Sequence, residues 1–181
     1  MLISPEKSCL LVVDIQEKLA PAIFESEELI KNSKWLIEIA TILNLSIMTT
    51  EQYPQGIGYT VEELKRLLPL DKTMEKTHFS CMAEPSCQKM INESGVEQIV
   101  IIGTESHVCV LQTAIQLKQE AFDVYVVEDC VSSRKQADKA CALARMRGCG
   151  IHIVTREMVA FEWMQKAGTE SFRHISKNYL R

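Results

Sequence analysis

The chain has 181 residues, enough for one ordinary globular domain with its own core. Its 20 Lys and Arg against 24 Asp and Glu leave a net charge of −4, and no basic run stands out, which excludes nucleic acid as the dominant partner. Hydrophobic residues at 46% and charged residues at 24% exclude disorder as a description of the whole chain.

In chain order, Ser8 to Val13 (SCLLVV) reads as a strand buried on both faces and ends in Asp14. Glu27 to Leu43 repeats its apolar positions at helical spacing, and Ser46 to Thr50 is a second strand. Gln52 to Tyr59 is punctuated by Pro54, Gly56 and Gly58 and predicts a loop. Val61 to Leu68 predicts a helix stopped by Pro69, and Thr73 to Lys76 a weak third strand. Glu84 to Ser94 predicts a helix closed by Gly95, and Gln98 to Ile102 a strand closed by Gly103. Helices at His107 to Ala121 and Arg134 to Arg147 flank a fifth strand, Asp123 to Val127. Ile151 to Val154 is the sixth strand, and Arg156 to Ala167 a last helix; the tail Phe172 to Arg181 carries no clear pattern.

This alternation predicts an α/β fold: a single-domain, doubly wound, Rossmann-like sheet of six mainly parallel strands with helices on both faces, spanning residues 1–181. Seven cysteines cannot all pair internally, and the first seven residues lack a basic segment followed by an apolar one, so we expect free thiols and a reducing cytoplasmic compartment. No apolar run is long enough to span a bilayer, so no membrane partner is expected.

Ligands of open parallel sheets bind beyond the carboxyl ends of the strands, where the strand order reverses. In the order 3-2-1-4-5-6 that point lies between strands one and four, which brings Asp14 and Cys109 together. Asp14 directly follows a buried strand and suits proton uptake; capping a helix or pairing with a structural lysine is the alternative. Lys76 ends strand three. Cys109 shares offsets of three, four, seven and eleven with Gln112, Thr113, Gln116 and Glu120, a polar helix face that predicts a thiol directed at solvent or a cleft. The helix N-terminus and a nearby lysine would favour its thiolate, and so its alkylation well below pH 8.5.

The other cysteines read as inert: Cys9 within strand one, Cys141 on an apolar helix side with Ala137, Ala140 and Ala144, Cys149 in a turn, and Cys130 in the loop after strand five. His78, Cys81 and Cys87 lack the paired short spacing of a zinc site, so no metal and no cofactor are expected.

Three separated stretches carry a resemblance over nearly the whole chain: Leu11-Val12-Val13-Asp14-Ile15-Gln16, Met74-Glu75-Lys76-Thr77-His78-Phe79-Ser80, and Gly103-Thr104-Glu105-Ser106-His107-Val108-Cys109-Val110. The chain resembles the isochorismatase-like cysteine hydrolases, a superfamily that includes nicotinamidases. Thr50-Glu51-Gln52-Tyr53-Pro54 and Asp129 to Arg134 are similar to its small, mostly uncharacterised members. The resemblance implies a catalytic triad of Asp14, Lys76 and Cys109. It also implies a cis peptide between Thr104 and Glu105, with the Glu105 and Cys109 amides forming an oxyanion hole. The Asp-x-His metal motif of nicotinamidases is replaced by Glu51-Gln52-Tyr53.

The expected activity is metal-independent cleavage of a C–N bond in a small amide or carbamoyl compound, through a thioester. Candidate substrate-binding residues are Gln16, Gln52, Tyr53, Phe79 and His107, with Gln52 as a hydrogen-bonding group and the two aromatic rings as apolar walls. The alternative is an idle family member acting as an oligomeric binding or scaffold protein. Homo-oligomers, dimers or larger, are expected in either case, with Phe161, Trp163 and Met164 as an apolar patch and the Glu105 side chain as a further subunit contact.

Overall fold

Every residue of β1 (Ser8–Val13) is buried, because both of its faces are covered. Leu10 and Val12 face one hydrophobic layer, with Leu36, Ile37, Val100, Ile102 and Trp163. Cys9, Leu11 and Val13 face the other, with Met48, Ile99, Ile101, Leu117 and Leu143. That alternation, with apolar residues at both phases, is why the strand reads as one continuous run.

The computed structural model describes residues 1–180. β1 pairs in parallel with β2 (Ser46–Gln52) on one side and β4 (Gln98–Thr104) on the other. β3 (Thr73–Lys76), β5 (Asp123–Ser132) and β6 (His152–Val154) complete a six-stranded parallel sheet in the order β3-β2-β1-β4-β5-β6. The strand order therefore reverses between β1 and β4, as expected. α1 (Ser26–Ile42), α7 (Arg156–Met164) and α8 (Glu170–Tyr179) contribute to the first layer. α4 (Pro85–Glu93), α5 (Leu111–Gln119) and α6 (Gln136–Gly148) contribute to the second.

Some elements differ from the reading of the sequence. The expected loop at 52–59 contains the short helix α2 (Pro54–Ile57), started by a proline whose fixed φ suits a first helical position. The next helix, α3, is only Glu62–Lys65. β5 runs five residues past Val127, because a register shift opposite Ile101 and Gly103 lets Val131 and Ser132 rejoin the ladder. Cys130 is therefore a buried strand residue and not a loop residue. The tail forms α8, which inserts Ile175 into the core; Arg181 lies outside the described residues. Trp163 and Met164 are core residues, with the Trp163 indole N–H donating to Ser8 at 2.9 Å, so of the expected apolar patch only Phe161 is exposed. Cys141 is exposed, contrary to its expected place on an apolar side. All seven cysteines are free, and among the described residues no helix is long and apolar enough to cross a membrane.

Gly103 sets how closely β4 approaches β1. It pairs with Val13 at φ +126°, and a Cβ there would collide with the Val13 carbonyl. Gly103→Ala should destabilise the fold by about 3 kcal/mol or more, read as a lowered urea midpoint, because strain and collision act together. An unchanged midpoint would show that the strands can separate freely.

Candidate active site

Asp14 leaves the end of β1 at φ +49°, in the left-handed region, which Asp tolerates better than most residues. Three neighbours hold it. The Thr50 hydroxyl donates to Oδ1 at 2.7 Å, the Lys76 ammonium donates to Oδ2 at 2.7 Å, and the Thr104 hydroxyl donates to the Asp14 carbonyl at 2.6 Å. Asp14 and Lys76 have fully buried side chains. A buried ion pair is tolerated only when its remaining donors and acceptors are satisfied. Lys76 meets that condition: it also donates to Gln52 Oε1 at 2.6 Å and the Phe79 carbonyl at 3.0 Å, with the His78 carbonyl at 3.4 Å.

Cys109 lies in a π-helical turn, Ser106–Val110, that precedes α5. Its thiol lies close enough to Asp14 and Lys76 for both charges to act on it. The three candidate catalytic residues, distant in sequence, thus meet at the carboxyl edge of the sheet. The Thr104–Glu105 peptide is cis.

One expectation is corrected here. Cys109 is 6% exposed and does not sit on an open polar face. The wider π turn breaks the 3.6-residue phase on which the offsets to Thr113 and Gln116 were counted, and Thr113 itself is buried. Burial pushes the thiol up to about 12, the Asp14 charge adds to the rise, and Lys76 opposes it. Burial and the neighbouring charge therefore favour the neutral thiol. Iodoacetamide at pH 8 should therefore modify the exposed Cys141 and Cys149 ahead of Cys109, as peptide mass spectrometry can time. Faster labelling of Cys109 would mean a thiolate at rest.

The expected substrate-binding residues divide. Gln16 is completely buried, and its amide is committed to backbone: Oε1 accepts from Gln52 N–H at 2.8 Å, and Nε2 donates to the carbonyls of Gln52 at 3.0 Å and Gly58 at 2.6 Å. Gln52 spends its side chain on Lys76 and on the Thr77 carbonyl, 2.8 Å away. Gln16 thereby spends both amide N–H groups on backbone, whereas Gln52 spends one on the Thr77 carbonyl and keeps a second. Tyr53 and Phe79 are each 55% exposed and both adjoin Lys76, through the Tyr53 N–H to Lys76 carbonyl bond of 2.9 Å and the Phe79 carbonyl. His107 is partly buried, with Nδ1 2.9 Å from the Ser133 hydroxyl. The Glu105 carboxylate is 7% exposed and faces Arg134 within its own chain, rather than an open subunit contact.

Glu51 of the Thr50-Glu51-Gln52 stretch points to the opposite face of the sheet from Gln52, since strand side chains alternate. Its Oε1 takes both the N–H and the hydroxyl of Thr60 at 2.7 Å, pinning the loop that follows α2. A cavity of about 310 Å³ beside it is lined in part by Tyr59, Thr60 and Glu75. His78 pairs with Glu84 while Cys81 and Cys87 are buried, and no group of three His, Cys, Asp or Glu among the described residues is arranged to hold a metal.

Sequence reasoning missed Thr50, Thr104, Ser133 and Arg134. The two threonines had a usable signal: each is a hydroxyl at the carboxyl end of a strand that flanks β1.

Residues 8–158 match the isochorismatase domain model. Isochorismatase family protein 1A of Dictyostelium discoideum is 37% identical over 177 residues, covering 96% of this chain and 86% of that protein. A Caenorhabditis elegans structure described as MAR1 ribonuclease is 36% identical with a TM-score of 0.92, covering 100% of this chain and 93% of the other. YcaC from Pseudomonas aeruginosa, solved with hexane-2,5-diol and covalent acrylamide, is 25% identical with a TM-score of 0.92, covering 99% and 92%. The chain carries the hydrolase fold of these proteins and belongs to the isochorismatase family.

Proposed function

We propose that the chain is a cysteine-dependent hydrolase that cleaves a C–N bond of a small amide or carbamoyl compound through a thioester. The observation that carries this reading is one buried carboxylate, Asp14, held by the Lys76 ammonium at 2.7 Å and close enough to Cys109 for its charge to act on the thiol. A neutral thiol becomes a nucleophile when an adjacent base takes its proton as it attacks.

In this reading the Cys109 sulfur adds to the substrate carbonyl carbon as its proton passes to Asp14. The oxyanion is held by the Glu105 N–H and by the Cys109 N–H, which lies in the first turn of its helical segment, where amides lack intrahelical acceptors. The C–N bond breaks as Asp14 returns the proton to the departing nitrogen. Water then adds to the thioester with Asp14 again as base, releasing the acid and the thiol. Lys76 keeps the carboxylate oriented throughout. Tyr53 and Phe79 wall the approach. No step calls on a metal or cofactor, and a homo-oligomer remains the proposed assembly.

Covalent acrylamide on Pseudomonas YcaC supports the access of a small amide to this fold. The ribonuclease described for the nematode relative places an RNA oligonucleotide in the same test panel, although a net charge of −4 favours a small carbonyl compound over a polyanion. The decisive experiment measures ammonia or amine release across small amides and carbamoyl compounds, with and without a chelator. Release by the wild type that is insensitive to chelation supports the proposal. Absence of turnover across the panel overturns it in favour of a binding or scaffold role, and turnover of RNA alone would replace it.

A further inference from the structure

Glu105 is a two-sided residue. Its backbone joins β4 to the turn that carries Cys109, while its side chain turns into the protein and is 7% exposed. A carboxylate so deeply placed needs partners, and it has two of unequal quality. Arg134 Nε lies 2.8 Å from Oε2, whereas His107 Nε2 is 3.8 Å from Oε1. His107 is itself tied to Ser133 at 2.9 Å, so both contacts lead to the segment just after β5. Arg134 is 60% exposed, and its guanidinium reaches inward from the surface to a group that Asp14, Lys76 and Cys109 do not touch with their own side chains.

We propose that Arg134 is a positioning residue for the oxyanion hole. By fixing the Glu105 carboxylate it fixes the rotation of that residue and hence the direction of its N–H. The proposal rests on the thioester reading above. Donors that stabilise an oxyanion act through a preset direction, and a misplacement of about 1 Å can cost about 10²-fold. Without Arg134 the carboxylate keeps only the long His107 contact and is free to turn toward water.

The test compares two reactions of the same sulfur. With 4-nitrophenyl acetate, sulfur bonds to the acyl carbon, an oxyanion develops, and 4-nitrophenolate leaves as Asp14 takes the thiol proton. With iodoacetamide, sulfur bonds to a saturated carbon and iodide leaves, so no oxyanion forms. Arg134→Ala should slow acetylation of Cys109 by about 10-fold to 10²-fold, with KM within about twofold and the alkylation rate of Cys109 unchanged. Arg134→Lys, which can still reach a carboxylate oxygen, should recover part of the loss. Arg147→Ala, which breaks the exposed pair with Glu128, should change neither rate. Equal losses in both reactions, or none in acetylation, would overturn the proposal in favour of a purely structural tie. Failure of the wild-type Cys109 to become acetylated at all would instead refute the thioester reading, and the positioning role with it.

Discussion

Cys109→Ala should lower hydrolysis by at least about 10³-fold while leaving the thermal midpoint within a few degrees of wild type, since only one sulfur atom is removed from a small buried side chain. The loss should fall on kcat for every substrate the wild type cleaves, because the remaining groups can bind a carbonyl compound but have nothing to attack it with. The oxyanion donors persist in this variant, so a faint residual rate above that of free solution is expected. Turnover at the wild-type level would rule out sulfur as the nucleophile.

Lys76→Ala should be costly in a different way, damaging the fold as well as the chemistry. Removing one partner of a buried ion pair strands the other, at about 3–5 kcal/mol. For a chain of this size that corresponds to a fall of roughly 10 °C in midpoint. Here the stranded group is Asp14, left with only the Thr50 hydroxyl on its carboxylate, while Gln52 Oε1 and the Phe79 carbonyl also lose their donor. Asp14→Asn in the same background should restore part of the stability, because a neutral amide tolerates burial without a counter-ion, yet it should restore no activity. Additive losses in the double variant would show that the two side chains do not depend on one another. Measuring the single and double variants side by side separates the structural and catalytic parts of the pair.

The end of β1 was readable because buried strands of a doubly wound sheet consist of unbroken apolar runs, so Asp14 stood out as the first charge after it, whereas Lys76 ends a short strand that already holds Glu75 and was marked only by the resemblance. The strand order followed from the same alternation and placed Asp14 opposite the loop that carries Cys109. The environment of Cys109 was not readable: a helical wheel assumes one uniform pitch, and the π turn at Ser106–Val110 changes it. The polar pair Glu128 and Asp129 concealed the second half of β5 for a related reason, since a register shift lets a strand pass through residues that resemble a loop. Gln16 and Gln52 were expected beside substrate because amides near a strand end suit a polar ligand. Composition cannot reveal that Gln16 spends both amide N–H groups on backbone and that the Gln52 oxygen accepts from Lys76.

That internal commitment has a consequence for how such a scaffold diversifies. Gln16 staples the chain beyond the first strand to the end of the second, and Gln52 carries the linkage on to the third, so altering either would loosen the candidate site itself. In the reading proposed above, selectivity can drift more readily at the exposed rings of Tyr53 and Phe79. Relatives with one preserved engine and unlike appetites should therefore differ first at those two places.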